Sequence, residues 1–249
     1  MSSKAHGPAS EAEPSERLRF GGDTRITPSM EDYLKAIYRI EQEGQPATTQ
    51  RLAEHLALSG ASVTNMMKRL NDMKLLVYSP YRGVSLTETG NRVALEVLRH
   101  HRLLELYLQQ ALGFDIDKVH QEADRLEHHV SEELEARMEQ ALGFPEFDPH
   151  GDPIPQRNGS LPSIADVALS DLPDGTAGSV SRVSDRHPED LRHIDRLGIR
   201  PGAHLVMLER KADGDLRVRL ESGEHRISTS IAEGIRILID EPAQTKPIS

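Results

Sequence analysis

The stretch TTQRLAEHLALSGASVTNMMKRLNDMKLLVYSPYRGVSL, residues 48–86, decides the fold. Thr48 and Thr49 offer an N-cap for a short helix over Gln50–Ala57, with Leu52, Ala53 and Leu56 turned inward. Ser59 and Gly60 make a turn, and Ser62 to Met73 reads as a second helix whose apolar side is Val63, Met66, Met67 and Leu70. Two helices joined by a tight turn are a helix-turn-helix. Leu75–Tyr78, a turn at Pro80-Tyr81-Arg82-Gly83, and Val84–Leu86 then read as a short hairpin, which makes the whole a winged helix.

Upstream, Pro28 and Ser29 precede a periodic stretch, Met30–Glu43, that places Tyr33, Leu34, Ile37, Tyr38 and Ile40 on one helix face and ends at Gly44. Residues 1–24, rich in Ser, Glu, Gly and Pro, are expected to form a mobile tail. Downstream, Thr87 begins a helix running to about Ala111 that is apolar on most sides, which implies burial and predicts contact with another chain. A second helix is expected from Ile116 to Leu142, followed by a linker marked by Pro145, Pro149, Pro153 and Pro155. Beyond Leu161 the pattern turns to strands at Gly178–Val183, His204–Lys211, Asp215–Leu220, Glu224–Ser230 and Ile235–Ile239, with one helical piece at Pro188–Leu197. A small barrel is the expected solution. The fold class is mainly α with a C-terminal all-β domain. Its parts are a tail (1–24), a winged-helix DNA-binding domain (25–87), a helical metal-binding and dimerisation domain (88–144), a Pro-rich linker (145–160) and an SH3-like domain (161–240).

The chain has 249 residues, 37% of them hydrophobic, enough for a sizeable core. It has no cysteine, which excludes disulfides, thiolate zinc sites and iron–sulfur clusters. Neither a membrane-spanning run nor a signal-peptide core is legible, so a cytoplasmic location is expected. The net charge of -10 is unevenly spread: residues 25–100 carry 10 basic and 8 acidic side chains, residues 101–150 carry 4 and 12. That asymmetry suits a nucleic-acid surface at one end and a cation-binding surface in the middle.

The cation-binding signal is HQEADRLEHH, residues 120–129, where helical spacing puts His120, Asp124, Glu127 and His128 on one side. Such a face would otherwise be expected to carry apolar core residues. Imidazole with carboxylate suits Mn(II), Fe(II) or Zn(II). His101 and Glu105, four apart on the preceding helix, form a second cluster, and Asp32 is the ligand expected to arrive from outside the domain. For DNA, Ser59, Ser62, Thr64, Asn65, Lys68 and Arg69 lie at or near the start of the second winged-helix helix, and Arg82 lies on the wing tip. The competing reading is an ordinary three-helix bundle with solvent-facing polar residues, against which the wing speaks. Catalytic motifs of the H-E-x-x-H, G-x-S-x-G, P-loop and G-x-G-x-x-G types are missing. A metal-dependent hydrolase and a metal-buffering protein remain as alternatives.

Several of these stretches resemble the diphtheria-toxin-repressor and manganese-transport-regulator family of metal-dependent transcriptional repressors. Thr27-Pro-Ser-Met-Glu-Asp-Tyr33 is similar to the start of the manganese regulators, and Ser59-Gly-Ala-Ser-Val-Thr64 to the family's recognition-helix entry. His101-Arg-Leu-Leu-Glu105 and the run from Asp117 to His128 resemble its metal-binding helices, and Gly151-Asp-Pro-Ile-Pro155 resembles the G-N-P-I-P that follows them. The resemblance implies Asp32, Asp124, Glu127 and His128 as ligands of an activating site. It implies His101, Glu105 and His120 as an ancillary site, completed from the C-terminal FeoA-like domain at His187 and Asp190. The iron-responsive branch has Met and Cys where this chain has Asp32 and Asp124, so hard oxygen replaces soft sulfur and Mn(II) is implied over Fe(II). Lys35 stands where two-domain manganese regulators have a Glu, which speaks against their paired binuclear site. The implied function is a manganese-dependent, non-enzymatic repressor of metal-homeostasis genes that binds palindromic double-stranded operator DNA as a metal-activated homodimer, with an iron-dependent regulator as the alternative.

Overall fold

The computed structural model describes residues 19–20, 24–79 and 83–240. The expected tail, 1–24, and Arg82 therefore lie largely or wholly outside the described residues. After a short antiparallel pair, β1 (Arg19–Phe20) and β2 (Thr24–Arg25), come α1 (Pro28–Gln42), α2 (Thr49–His55) and α3 (Gly60–Asp72). The hairpin β3 (Leu76–Ser79) and β4 (Gly83–Leu86) follows, with Val77 opposite Ser85. Thr48 and Ser59 cap α2 and α3 through hydroxyls that accept from Arg51 N and Ser62 N. Gly83 has φ +81°, and a Cβ there would lie 2.2 Å from the Ala47 carbonyl, so the wing can lie this close to the strap before α2 only as glycine. Met30, Leu34, Ile37, Leu52, Val63, Leu70 and Leu75 fill the shared core.

The spine of the molecule is α4 (Glu88–Leu112). Val93, Ala94, Leu95 and Leu98 belong to the winged-helix core, while Leu103, Leu104, Leu106 and Leu108 belong to a second core with Val119, Ala123, Met138 and Ile154. The apolar girth of α4 is thus covered by its own chain, and does not itself require a partner. The expected helix Ile116–Leu142 is broken into α5 (Val119–Leu126), a 3₁₀ turn over Glu127–His129, and α6 (Glu132–Ala141). The break has a local cause. Val130 is extended at φ -72°, ψ 125°, and Ser131 caps α6 by accepting from Leu134 N, with Glu132, Glu133 and Glu135 in the first turn where the helix dipole favours acids.

The Pro-rich segment 145–160 is docked rather than free. Asp148 Oδ1 accepts the N–H groups of His150 and Asp152, Arg99 donates to Pro155 O at 2.8 Å, and Ile154 is buried. Gly151, at φ +90°, would put a Cβ 2.0 Å from Ser181 O, and His150 O accepts from Val183 N. This segment pins the third unit onto α4.

That unit is a six-stranded antiparallel sheet in the order β5-β10-β6-β7-β8-β9. Its strands are β5 (Val167–Ala168), β6 (Ala177–Val183), β7 (His204–Arg210), β8 (Leu216–Leu220), β9 (Gly223–Ile227) and β10 (Ile235–Ile239). Helices α7 (Pro188–Leu197) and α8 (Thr229–Glu233) are inserted. Leu169, Val180, Leu205, Val218 and Ile235 lie in its core. The SH3-like unit is not a closed barrel: β5 and β9 are edges, β5 having only two residues and β9 giving way to α8, which Ser228 caps. The strand expected to reach Ser230 stops at Ile227 for that reason.

Candidate metal centre and nucleic-acid interface

Asp32, in the first turns of α1, meets His128 of the 3₁₀ turn: Asp32 Oδ1 lies 3.0 Å from His128 Nε2. Glu127, 1% exposed, completes a group with Asp32 and His128 whose ligand atoms lie within 4.8 Å of one another. Glu31 approaches the other ring nitrogen, with Oε2 at 2.6 Å from His128 Nδ1. Sequence reasoning missed Glu31, because only the docking of α1 against the 3₁₀ turn shows that it orients the imidazole. Burial disfavours the charged ring, but hydrogen bonds to the Asp32 and Glu31 carboxylates outweigh it and push His128 up to about 9.

Lys35, one turn after Asp32, is 7% exposed and donates to Asp124 Oδ1 at 3.0 Å and Glu127 Oε1 at 2.5 Å. Its ammonium stands between two of the expected activating-site ligands. Asp124, at the end of α5 with its side chain 46% exposed, groups with His101 and Glu127 rather than with Asp32. Burial alone would raise its carboxyl, yet the charges of Lys35, His101 and His120 hold it below the usual range.

A second cluster lies on α4 and α5, deeper in the molecule. His101 and Glu105 are each 1% exposed, and His101 Nε2 is 2.9 Å from Glu105 Oε1. His120 Nδ1 is 3.0 Å from the same oxygen and 2.9 Å from Asp185 Oδ2. Burial opposes protonation of His120, but hydrogen bonds to Asp185 and Glu105 push it up to about 10, and Asp185 is correspondingly held well down. The carboxylate arriving from the third unit is therefore Asp185, just after β6, and not His187 or Asp190. This corrects the expected register: His187 stands at the residue before α7, Asp190 sits in the helix's first turn, and both line the cleft facing Tyr38 and Arg39 of α1. The turn between β6 and α7 has no periodic pattern that sets a register, whereas β6 is fixed by pairing with β10 and β7.

His101 joins the two clusters. Its Nδ1 lies 2.6 Å from Glu127 Oε2 while its Nε2 faces Glu105, so one imidazole spans both sites. Both donor sets, carboxylate oxygen and imidazole nitrogen without sulfur, fit a divalent ion of the Mn(II), Fe(II) or Zn(II) kind.

On α3, Ser59, Ser62, Asn65, Lys68 and Arg69 are exposed and Thr64 is half-buried. The hydroxyls are already engaged within the chain: Ser59 Oγ caps the helix and lies 2.9 Å from Ser62 Oγ, and Thr64 Oγ1 donates to Gly60 O at 2.8 Å. Asn65, Lys68 and Arg69 remain as the outward row that could meet a duplex.

A winged helix mounted on a metal-ligating helical unit defines a metal-responsive DNA-binding protein. Residues 25–84 match the family described as iron dependent repressor, N-terminal DNA binding domain; residues 87–156 match iron dependent repressor, metal binding and dimerisation domain; and residues 167–238 match the FeoA domain. The diphtheria toxin repressor of Corynebacterium efficiens is 35% identical over 167 residues, 67% of this chain and 69% of that one. The iron-dependent repressor IdeR of Mycobacterium tuberculosis is 34% identical over 194 residues, 73% of this chain and 84% of its own. A solved manganese-dependent transcriptional repressor in complex with manganese superposes with a TM-score of 0.79 at 35% identity, covering 84% of this chain and 99% of that one. The chain belongs to the diphtheria-toxin-repressor and manganese-regulator family of metal-dependent transcriptional repressors, which is not a family of enzymes. Among the described residues no helix is long and apolar enough to cross a membrane.

Proposed function

We propose that this repressor responds to Mn(II) and binds a palindromic operator as a homodimer, switching off genes of metal-ion homeostasis when the ion is plentiful. The observation that carries the reading is the Asp32–His128 contact, because it joins the DNA-reading unit to the metal-binding unit through hard donors. Asp32, Glu127 and His128 would hold the activating ion, with Asp124 as a fourth donor at the end of α5. His101, Glu105, His120 and Asp185 would hold the ancillary one. Held at the first position, an ion would supply the positive charge that lets Asp32 of α1 and Glu127 and His128 of the 3₁₀ turn stay together. Glu31 fixes the His128 ring, and Lys35 neutralises Glu127 and Asp124 from the side where a second ion would otherwise sit, so this position takes one ion. With α1 held, the two recognition helices of a dimer keep the spacing that successive major grooves demand. The switch can move no further than the ion's preference for the ordered state allows.

Carboxylate and imidazole also accept Fe(II), and an iron-dependent repressor is 34% identical over 194 residues, so iron is the second reading. DNA fragments enriched from genomic DNA by the manganese-loaded protein serve as probes in an anaerobic gel shift with Mn(II), Fe(II) or chelator. Tight binding with Mn(II) and release by chelator is the expected result. Equal affinity in chelator would remove the switch, and activation by Fe(II) but not Mn(II) would transfer the function to iron.

A further inference from the structure

A cleft of about 990 Å³ lies between the reading unit and the third unit, with Tyr38 and Arg39 of α1 on one side and the turn from β6 into α7, together with α8, on the other. Most of the arginines along it are already spent. Arg182 and Arg236 share Asp166, Arg186 pairs with Glu43, and Arg102 donates to Pro153 O with Asp148 and Asp152 close by. Arg39 differs. Half-buried and lining the cleft, its guanidinium makes no hydrogen bond or ion pair with any described residue. Burial works against its charge, and Asp185, Glu105, Asp124 and Glu127, acting at a distance, more than offset that cost. The Tyr38 ring belongs to the winged-helix core, but its hydroxyl likewise has no hydrogen-bond partner among the described residues. Two neighbouring donors open to one cleft call for an acceptor. His55, also on the lining, registers the sign of the local field: burial first, then the charges of Arg39 and Arg186, hold its imidazole below the usual range. Away from these donors the wall turns apolar, with Leu161, Ile164 and Ile231 half-buried along it.

We propose that this cleft binds a small organic monocarboxylate, its head held by the Arg39 guanidinium and the Tyr38 hydroxyl and its apolar body lying along Leu161, Ile164 and Ile231. The planar fork of an arginine matches a carboxylate with two parallel hydrogen bonds. A single unpaired cation suits a single negative charge, and Asp190 and Glu233 on the α7 and α8 side disfavour a second one on the body. Arg102 takes no part, because Asp148 and Asp152 beside it repel an anion. One wall belongs to α1 and the other to the third unit, so the occupant bridges the two units that the Glu43–Arg186 pair also joins, and gives the protein a small-molecule input separate from the metal.

The test is titration calorimetry of the full chain with three probes: phenylbutyrate, which has both halves of the expected ligand, phenylbutanol, which lacks the charge, and acetate, which lacks the body. Phenylbutyrate should saturate the protein, with the other two weaker by about tenfold or more. Arg39→Gln should lower phenylbutyrate affinity by roughly 10–100-fold, to the level of the alcohol, and Arg39→Lys should restore part of that loss. Tyr38→Phe keeps the ring in the core and removes only the hydroxyl, so it guards against a misfolded variant, and a loss of roughly 3–10-fold is expected. Three results would each overturn the proposal: no saturation by phenylbutyrate below about 10 mM, an alcohol that binds as tightly as the acid, or an Arg39→Gln protein that binds the acid as the parent does. None of these readouts involves DNA or metal, so they stand or fall apart from the repressor reading.

Discussion

The two metal clusters differ in how much they are already built. Around Asp32 and His128 the ligands come from separate units, and the side chains of Asp32 and Asp124 are 45% and 46% exposed. Around His101 and Glu105 the side chains are 1% exposed, and the cluster is closed by Asp185 from the third unit. An open site whose ligands straddle two units can act as a switch, because filling it changes how those units sit. A closed site within a packed junction is filled once and then serves as a brace.

The sharpest way to break this contrast is to remove one imidazole from each. His128→Ala should abolish metal-dependent operator binding altogether, whereas His120→Ala should weaken it while leaving the response in place. Gel shifts over a Mn(II) titration decide, and equal damage from both variants would erase the distinction. Next in size is Lys35→Met. It leaves Glu127 buried with one cation fewer, which should cost the metal-free protein about 3–5 kcal/mol in denaturant unfolding. Added Mn(II) should recover most of that loss. A variant as stable as the parent without metal would show that Lys35 does not stand in for an ion.

Proton linkage gives a third measurement. His128 and His120 are raised to about 9 and about 10, so in the metal-free protein their contribution is complete below about 6.5 and is lost as pH climbs through 9 and then 10. Stability should therefore fall steadily between pH 6.5 and 10 without metal. The Mn(II)-loaded protein, whose imidazoles are already neutral, should show no such decline, and its assembly at pH 7 should release protons. Parallel thermal-unfolding profiles of the two forms would contradict this. The smallest effect is expected from Glu31→Gln, which keeps a hydrogen bond to His128 but loses the charge. A loss of roughly 10–100-fold in Mn(II) affinity follows for such a ligand-orienting carboxylate. An unchanged dissociation constant would confine Glu31 to the surface of α1.

Where local chemistry is strong, the elements were legible. Thr48 announces α2 because a hydroxyl before a periodic apolar run satisfies free N–H groups, as it does in the structure; Ser59, read as part of a turn, caps α3 in the same way and starts it at Gly60 rather than Ser62. The same rule, applied at Ser131 and Ser228, would have divided the long helix after α5 and ended the strand at Ile227. The arrival of Asp32 from outside its cluster was expected from the sequence, and the structure brings it to His128. Asp185 and Glu31 were not, since each gains its neighbours only when distant segments dock.

Sequence alone settled the winged helix, the absence of thiolate donors and the acidic, histidine-bearing middle segment, because these follow from side-chain type and from spacing within a few turns of chain. Tertiary structure decided which carboxylate reaches His120, that Lys35 occupies the space between Glu127 and Asp124, and that His101 touches both clusters. Those are distances between residues up to 92 positions apart, set by how α1, the 3₁₀ turn and the third unit pack around α4, and no periodicity encodes them.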